Sequence, residues 1–312
     1  MNKRIKFLLK TLIPKKIRTA LAWSRQSTAE VASYWGNFRI VREIYQKRVT
    51  GDASLSWYAW KSRRRPGPFG RVLAFGDGKG MAAEAALMRN DTREVVYFNI
   101  SKRECQEFER LFSGHGFDFP FRYIKGDANR FDFLELGAFD TIITVGTFHH
   151  FEKFERIFPQ LNEILNPDGL VYADEFIGPS RWRYEGQIVE LINRFLSSLP
   201  QELILSRNPA RPEEFYYLLK NGLDPSESIR SGELDEWLRK SFTVLEASPF
   251  NGTLLFPFFL TAQFRPQRLN LPAWHDTDIG QSELKKIALL EDEWLSSGRL
   301  PPHFMYYVLG KK

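Results

Sequence analysis

The sequence predicts an α/β fold: a Rossmann-like, seven-stranded, mostly parallel sheet with helices on both faces, preceded by a helical segment and carrying a helical insertion after the fifth strand. Three observations carry that expectation. Between residues 71 and 175, β-branched and aromatic runs alternate with amphipathic stretches, the pattern of a parallel sheet whose crossovers are helices. The first run empties into glycines at a helix start, and the fifth follows Asn166-Pro167-Asp168-Gly169, a stop-and-turn signal. With 312 residues, 43% of them hydrophobic, and 27 Phe, 11 Tyr and 8 Trp, the chain has material for one large core.

Residues 1–26 read as a basic amphipathic tail holding eight Lys or Arg and no acid. Ile5, Leu8, Leu9, Leu12, Ile17, Ala20 and Leu21 recur at helical spacing between the charges. The remainder is near neutral, 36 basic against 38 acidic residues, so the net charge of +6 belongs to the tail. Such a segment suits an anionic membrane surface and equally a helix packed on the domain, with Pro14 as a kink in either case. Lys10 interrupts the apolar run, which argues against a signal peptide, and no stretch reaches the roughly 20 apolar residues of a membrane span. The single cysteine, Cys105, forms no intramolecular disulfide and fits a reducing compartment. The expected location is the cytoplasm, peripheral on the inner membrane face if the tail binds lipid.

Residues 27–68 read as a helical lid and linker, with Gly51-Asp52 as a turn and Lys61 to Pro68 as an exposed basic connection. Residues 69–312 form the main domain. Its expected strands are 71–75, 94–99, 121–124, 139–145, 169–174, 242–248 and 304–309; its helices are 80–89, 102–115, 152–165 and 281–297. The helical, aromatic stretch 176–241 is the insertion.

Chemistry concentrates at the carboxyl ends of the strands, where open α/β sheets collect ligands. Arg71-Val-Leu-Ala-Phe-Gly76-Asp77-Gly78-Lys79-Gly80 is a strand running into glycines at a helix N-terminus, where backbone can approach a ligand. A dinucleotide fingerprint would need a glycine at position 81, which is Met81. Strand two ends at Asn99-Ile100, strand three at Gly126-Asp127-Ala128, and strand four at Val145-Gly146 before Thr147-Phe148-His149-His150. Strand five ends in Asp174-Glu175, followed by Gly178-Pro179-Ser180-Arg181.

This series resembles the class I S-adenosylmethionine-dependent methyltransferases, whose first motif is a strand followed by G-x-G-x-G. The resemblance implies that Gly76, Asp77, Gly78, Gly80, Asn99, Ile100, Asp127, Ala128, Val145 and Gly146 bind S-adenosylmethionine, with S-adenosylhomocysteine as product. It departs from the family at Asn99, where an acidic residue usually accepts bonds from both ribose hydroxyls. An amide oxygen accepts one such bond and its NH2 cannot accept the other, a cost of roughly 1 to 3 kcal/mol. The segment Asp174 to Arg181, with Asp224-Pro-Ser-Glu-Ser-Ile-Arg230, Asn251-Gly-Thr-Leu-Leu255 and Leu300-Pro-Pro-His-Phe304, looks like a bacterial subgroup found among polysaccharide and glycosyl-transfer functions. The resemblance covers residues 34–312.

In this reading an acceptor hydroxyl is methylated in line, with His150 or His149 as first candidate base and Glu175 or Asp174 as second. Arg181, Trp182 and Tyr184 are candidates for binding a small-molecule or glycan acceptor. A structural Glu175 to Arg181 ion pair is the competing reading of that pair. No spaced ligand cluster calls for a metal. A near-neutral body without a base-binding motif excludes nucleic acid as the partner. An inactive scaffold retaining the sheet is the rival from another class; three loop glycines and the paired histidines argue against it.

Overall fold

A computed structural model describes residues 39–56, 68–76, 78–198, 226–250, 252–257 and 278–312. The tail, Asp77 and the stretches 199–225 and 258–277 lie outside the described residues.

Helix α1 (Arg39–Thr50) precedes a sheet whose elements follow in order: β1 (Gly70–Gly76), α2 (Gly78–Met88), β2 (Thr92–Asn99), α3 (Lys102–His115), β3 (Phe121–Lys125), β4 (Phe139–Val145), α4 (Phe154–Glu163) and β5 (Leu165–Phe176). After β5 come α5 (Gly186–Ser198), α6 (Ser231–Ser241), β6 (Thr243–Phe250), α7 (Asp278–Ser296) and β7 (Phe304–Gly310). The seven strands lie in the order β3-β2-β1-β4-β5-β7-β6. Neighbours among the first five pair in parallel, and β7 runs antiparallel between β5 and β6. The order reverses direction at β1 and β4, which opens a crevice at their carboxyl ends.

Both sheet faces are covered, so the central strands are apolar on both sides rather than alternating. On one face Val72, Ala74, Tyr97 and Tyr306 pack with Ala82, Phe108, Ile192, Leu284 and Ile287. On the other, Leu73, Phe75, Val96, Phe98 and Tyr307 pack with Phe133, Phe148, Phe158 and Leu234. Each buried Val, Leu, Ile or Phe among them contributes roughly 1.5 to 3 kcal/mol relative to exposure. Helix α3 begins where Ser101 Oγ accepts the Glu104 N–H at 3.4 Å and stops at Gly116, in the left-handed conformation with φ 63°.

Two expectations change. The fifth strand starts at Leu165, not 169: Phe139 pairs with Leu165 and Thr141 with Leu170, so the Asn-Pro-Asp-Gly turn is an irregularity inside the strand. The described helix of the expected lid buries Val41, Tyr45 and Val49 and packs on α7 and β6, making it a core helix. No helix among the described residues is long and apolar enough to cross a membrane.

Candidate active site

A cavity of about 230 Å³ opens at the carboxyl ends of β1, β2, β3 and β4. Its apolar part is Phe75, Phe98, Ile100, Ala128 and Phe151; its polar groups include Asn99, Asp127, Asn129, Thr147, His150 and Ser226. Two glycines give it its shape. Gly76 has φ +59°, and a Cβ there would overlap Thr147 Oγ1 and lie 2.7 Å from the Val145 carbonyl, so the end of β1 touches the loop after β4 only because no side chain intervenes. A Cβ on Gly126 would lie 2.6 Å from the Phe98 ring. These cradles, an apolar slot beside amide and carboxylate side chains, fit a nucleoside.

Asn99 is fixed before any ligand arrives. Its Nδ2 donates to Tyr97 Oη at 2.8 Å, Tyr97 donates to the Gly76 carbonyl at 2.6 Å, and Asn99 Oδ1 accepts from the Ser101 N–H at 2.8 Å. One lone pair on Oδ1 and one N–H remain for a ribose. Asp127 closes its own turn by accepting the Asn129 N–H at 3.1 Å. Asn129 Oδ1 in turn accepts the N–H groups of Glu152 and Lys153, at 2.8 and 3.1 Å, tying the loop after β3 to the loop after β4.

Glu175 organises that second loop. Fully buried, it accepts from Thr144 Oγ1 at 2.6 Å, from the N–H groups of Thr147, Phe148 and His149 at 3.0, 2.9 and 3.4 Å, and faces His149 Nδ1 at 3.0 Å. Burial opposes its charge, but the His149 hydrogen bond and charge, with the Thr144 and backbone donors, hold the carboxyl below its usual range. Burial likewise opposes a charge on His149, and the hydrogen bonds to Glu175 and Glu227 overcome it, holding the imidazole well above its usual range. His149 Nε2 lies 3.4 Å from Glu227 Oε1. His150 places Nδ1 3.1 Å from Ser226 Oγ and Nε2 3.6 Å from Glu227 Oε2.

Of the residues singled out in the sequence, Gly76, Asn99, Ile100, Asp127, Ala128 and His150 line the cavity together. Gly78 and Gly80 open α2 outside its wall, where a Cβ on Gly80 would meet nothing. Val145 and Gly146 lie behind the wall, Gly146 donating its N–H to the Asp174 carbonyl at 2.8 Å. Asp77 is outside the described residues.

Four expectations are corrected. Glu175 is not placed as a base, because five donors already hold its charge, and it does not pair with Arg181. Arg181 instead donates its N–H to Ser228 O at 2.7 Å and its guanidinium to Glu227 O at 3.4 Å. His149 turns both ring nitrogens to carboxylates, Nδ1 to Glu175 and Nε2 to Glu227, and leaves neither for an acceptor proton. Trp182 and Tyr184, 5% and 4% exposed, are core aromatics packed on Phe256 and His303 and offer no platform to a ligand. Asp174 is pushed up to about 8, first by burial and then by the Glu175 charge, and lies outside the cavity wall. Sequence reasoning passed over Asn129 and Glu227. The second stands in the quoted segment Asp224 to Arg230, so a signal was present.

The methyltransferase-domain family model matches residues 73–173, the stretch from β1 to β5 that supplies most of this wall. No curated protein matches the chain by sequence. Among solved structures, the cyclopropane synthase MmaA2 from Mycobacterium tuberculosis superposes with a TM-score of 0.56 at 14% identity, covering 96% of this chain and 99% of that one. The mycolic acid cyclopropane synthase CmaA1, in a complex with S-adenosylhomocysteine, superposes with a TM-score of 0.52 at 15% identity, covering 96% and 98%. At that identity the likeness is one of fold. Residues 73–173, about a third of the chain, form a methyltransferase domain.

Proposed function

We propose that the chain methylates a hydroxyl group of a small-molecule or glycan acceptor, and that the acceptor is a sugar of a surface polysaccharide or glycolipid. The observation that carries the hydroxyl reading is His150. It lines the cavity at the end of β4, with Ser226 at one ring nitrogen and the Glu227 carboxylate at the other. A hydroxyl, unlike a free amine, must lose its proton as the new bond forms, and an imidazole backed by a carboxylate is a group suited to take it. The sugar reading is supported by the segment Asp174 to Arg181 and its resemblance to a glycan-associated subgroup.

Asn99 and Asp127 would hold the ribose and base of the cofactor, with Phe98, Ile100 and Ala128 around the ring. When bound, S-adenosylmethionine supplies a methyl carbon activated by its sulfonium, which an acceptor oxygen displaces in line. His150 receives the acceptor proton, and Glu227 stabilises the imidazolium that results. Glu175 acts through the loop it organises. The basic tail, outside the described residues, would hold the chain on the cytoplasmic membrane face where lipid-linked sugars are assembled.

The test is S-adenosylhomocysteine formation against a panel of nucleotide sugars, lipid-linked sugars and amines. The reading predicts product only with hydroxyl acceptors, reduced about 10²- to 10⁴-fold in His150→Ala while cofactor binding is kept. Turnover of amines alone, or normal turnover in His150→Ala, would contradict it.

A further inference from the structure

We propose that His149, His150 and Glu227 form a binding site for a divalent first-row transition metal ion. One ligand atom from each of the three residues can be chosen so that all lie within 4.8 Å of one another. The separations are those of a coordination shell: His149 Nε2 to Glu227 Oε1 is 3.4 Å and His150 Nε2 to Glu227 Oε2 is 3.6 Å. Ligands about 2.1 Å from a tetrahedral ion are about 3.4 Å apart, so an ion fits between these atoms with small adjustments.

Each ligand is also held from behind. Glu175 Oε2 sits 3.0 Å from His149 Nδ1, Ser226 Oγ sits 3.1 Å from His150 Nδ1, and Ser228 Oγ donates to Glu227 Oε1 at 2.9 Å. A metal-binding imidazole characteristically has its second nitrogen engaged in this way, which orients the ring and directs the other lone pair to the ion. The segment carrying Glu227 is clamped in place. Ser228, Arg181 and Trp182 all hold left-handed backbone, with φ 48°, 57° and 51°, and the Arg181 N–H bonds the Ser228 carbonyl.

Two imidazoles and one carboxylate select Zn²⁺, Fe²⁺, Co²⁺ or Ni²⁺ over the oxygen-seeking Mg²⁺ and Ca²⁺. The charge of the dication is balanced by the carboxylates of Glu175 and Glu227. The ion occupies the Nε2 lone pair of His150, so deprotonation of an acceptor by His150 belongs to the metal-free chain. The site stands on its own geometry and assumes nothing about the acceptor.

The test is titration of the chelator-treated full chain with Zn²⁺ alone, followed by calorimetry, and with Co²⁺, followed by visible absorption. One ion per chain at micromolar or lower dissociation constant is expected, with Co²⁺ showing the intense ligand-field bands of a tetrahedral site. Glu227→Gln and His150→Ala should each weaken binding at least tenfold, with circular dichroism confirming that each variant is folded. Mg²⁺ should not compete. Absence of stoichiometric Zn²⁺ binding in the unaltered chain would overturn the site, as would affinity unchanged in both folded variants. Neither result depends on methyl transfer, so loss of this site and loss of the acceptor reading are told apart.

Discussion

Replacing Glu175 by glutamine keeps the shape of the side chain and removes the charge on which the loop after β4 converges. Oε1 accepts three donors, from Thr144, Thr147 and Phe148, and Oε2 faces two groups of His149. The glutamine oxygen can keep the first set, at 2.6, 3.0 and 2.9 Å, only by turning its NH2 toward His149. His149 must then give up the Nδ1 proton to accept from that NH2, and its backbone N–H loses its partner. Removing one member of a buried ion pair costs about 3 to 5 kcal/mol. The tautomer change recovers part of this, so about 3 kcal/mol is expected, a large share of the roughly 5 to 15 kcal/mol that holds a domain together. Urea denaturation followed by circular dichroism measures it, and calorimetry should show weaker S-adenosylmethionine binding because Thr147, His150 and Phe151 line the cavity. Stability within about 0.5 kcal/mol of the parent, the range of ordinary surface substitutions, together with unchanged cofactor affinity, would refute the assignment of Glu175 as organiser of this loop.

Three further outcomes follow from the same geometry. Gly76→Ala puts a Cβ against Thr147 Oγ1 and the Val145 carbonyl at φ +59°. Overpacking and left-handed strain together should cost about 2 to 4 kcal/mol in urea unfolding; a neutral substitution would show that the two loops need not touch. His303 is buried, its Nδ1 has no hydrogen-bond partner, and burial pushes its pKa down from 6.5 to about 4. Between those values the unfolded chain takes a proton that the folded chain refuses. Stability is therefore full above about pH 6.5 and falls with pH by up to about 3 kcal/mol on approaching pH 4, a slope that His303→Phe should remove from the denaturation profile. Asn99→Asp offers a ribose a second acceptor oxygen at the expense of the bond Nδ2 donates to Tyr97. Calorimetry should find S-adenosylmethionine bound about fivefold more tightly, about 1 kcal/mol; weaker binding would place the ribose elsewhere.

The sheet and much of the cavity wall were legible because their signals are local in the chain. A β-branched run, a glycine turn and a helix follow one another within residues 71–89, and the strand ends at Asn99, Asp127 and Gly146 fall where alternation predicts them. Glu175 was legible as a residue at a strand end but not in its role, since its five donors come from residues 144–149, on the neighbouring strand and the loop after it. The meeting of Ser226 and Glu227 with His150 spans more than 70 residues and is made by residues inside the insertion. Trp182 and Tyr184 were misread because an aromatic run has the same appearance whether it lines a pocket or fills a core. The early start of β5 was hidden by Asn-Pro-Asp-Gly, which reads as a stop-and-turn signal but here is an irregularity inside the strand.

Calorimetric titration of the purified chain with S-adenosylmethionine and S-adenosylhomocysteine, with NAD as the comparison, tests the central claim most directly. Saturable one-to-one binding of both in the micromolar range, and none of NAD, is the predicted result. Absence of binding to the parent chain and to Asn99→Asp alike would contradict the assignment of this cavity as the cofactor site.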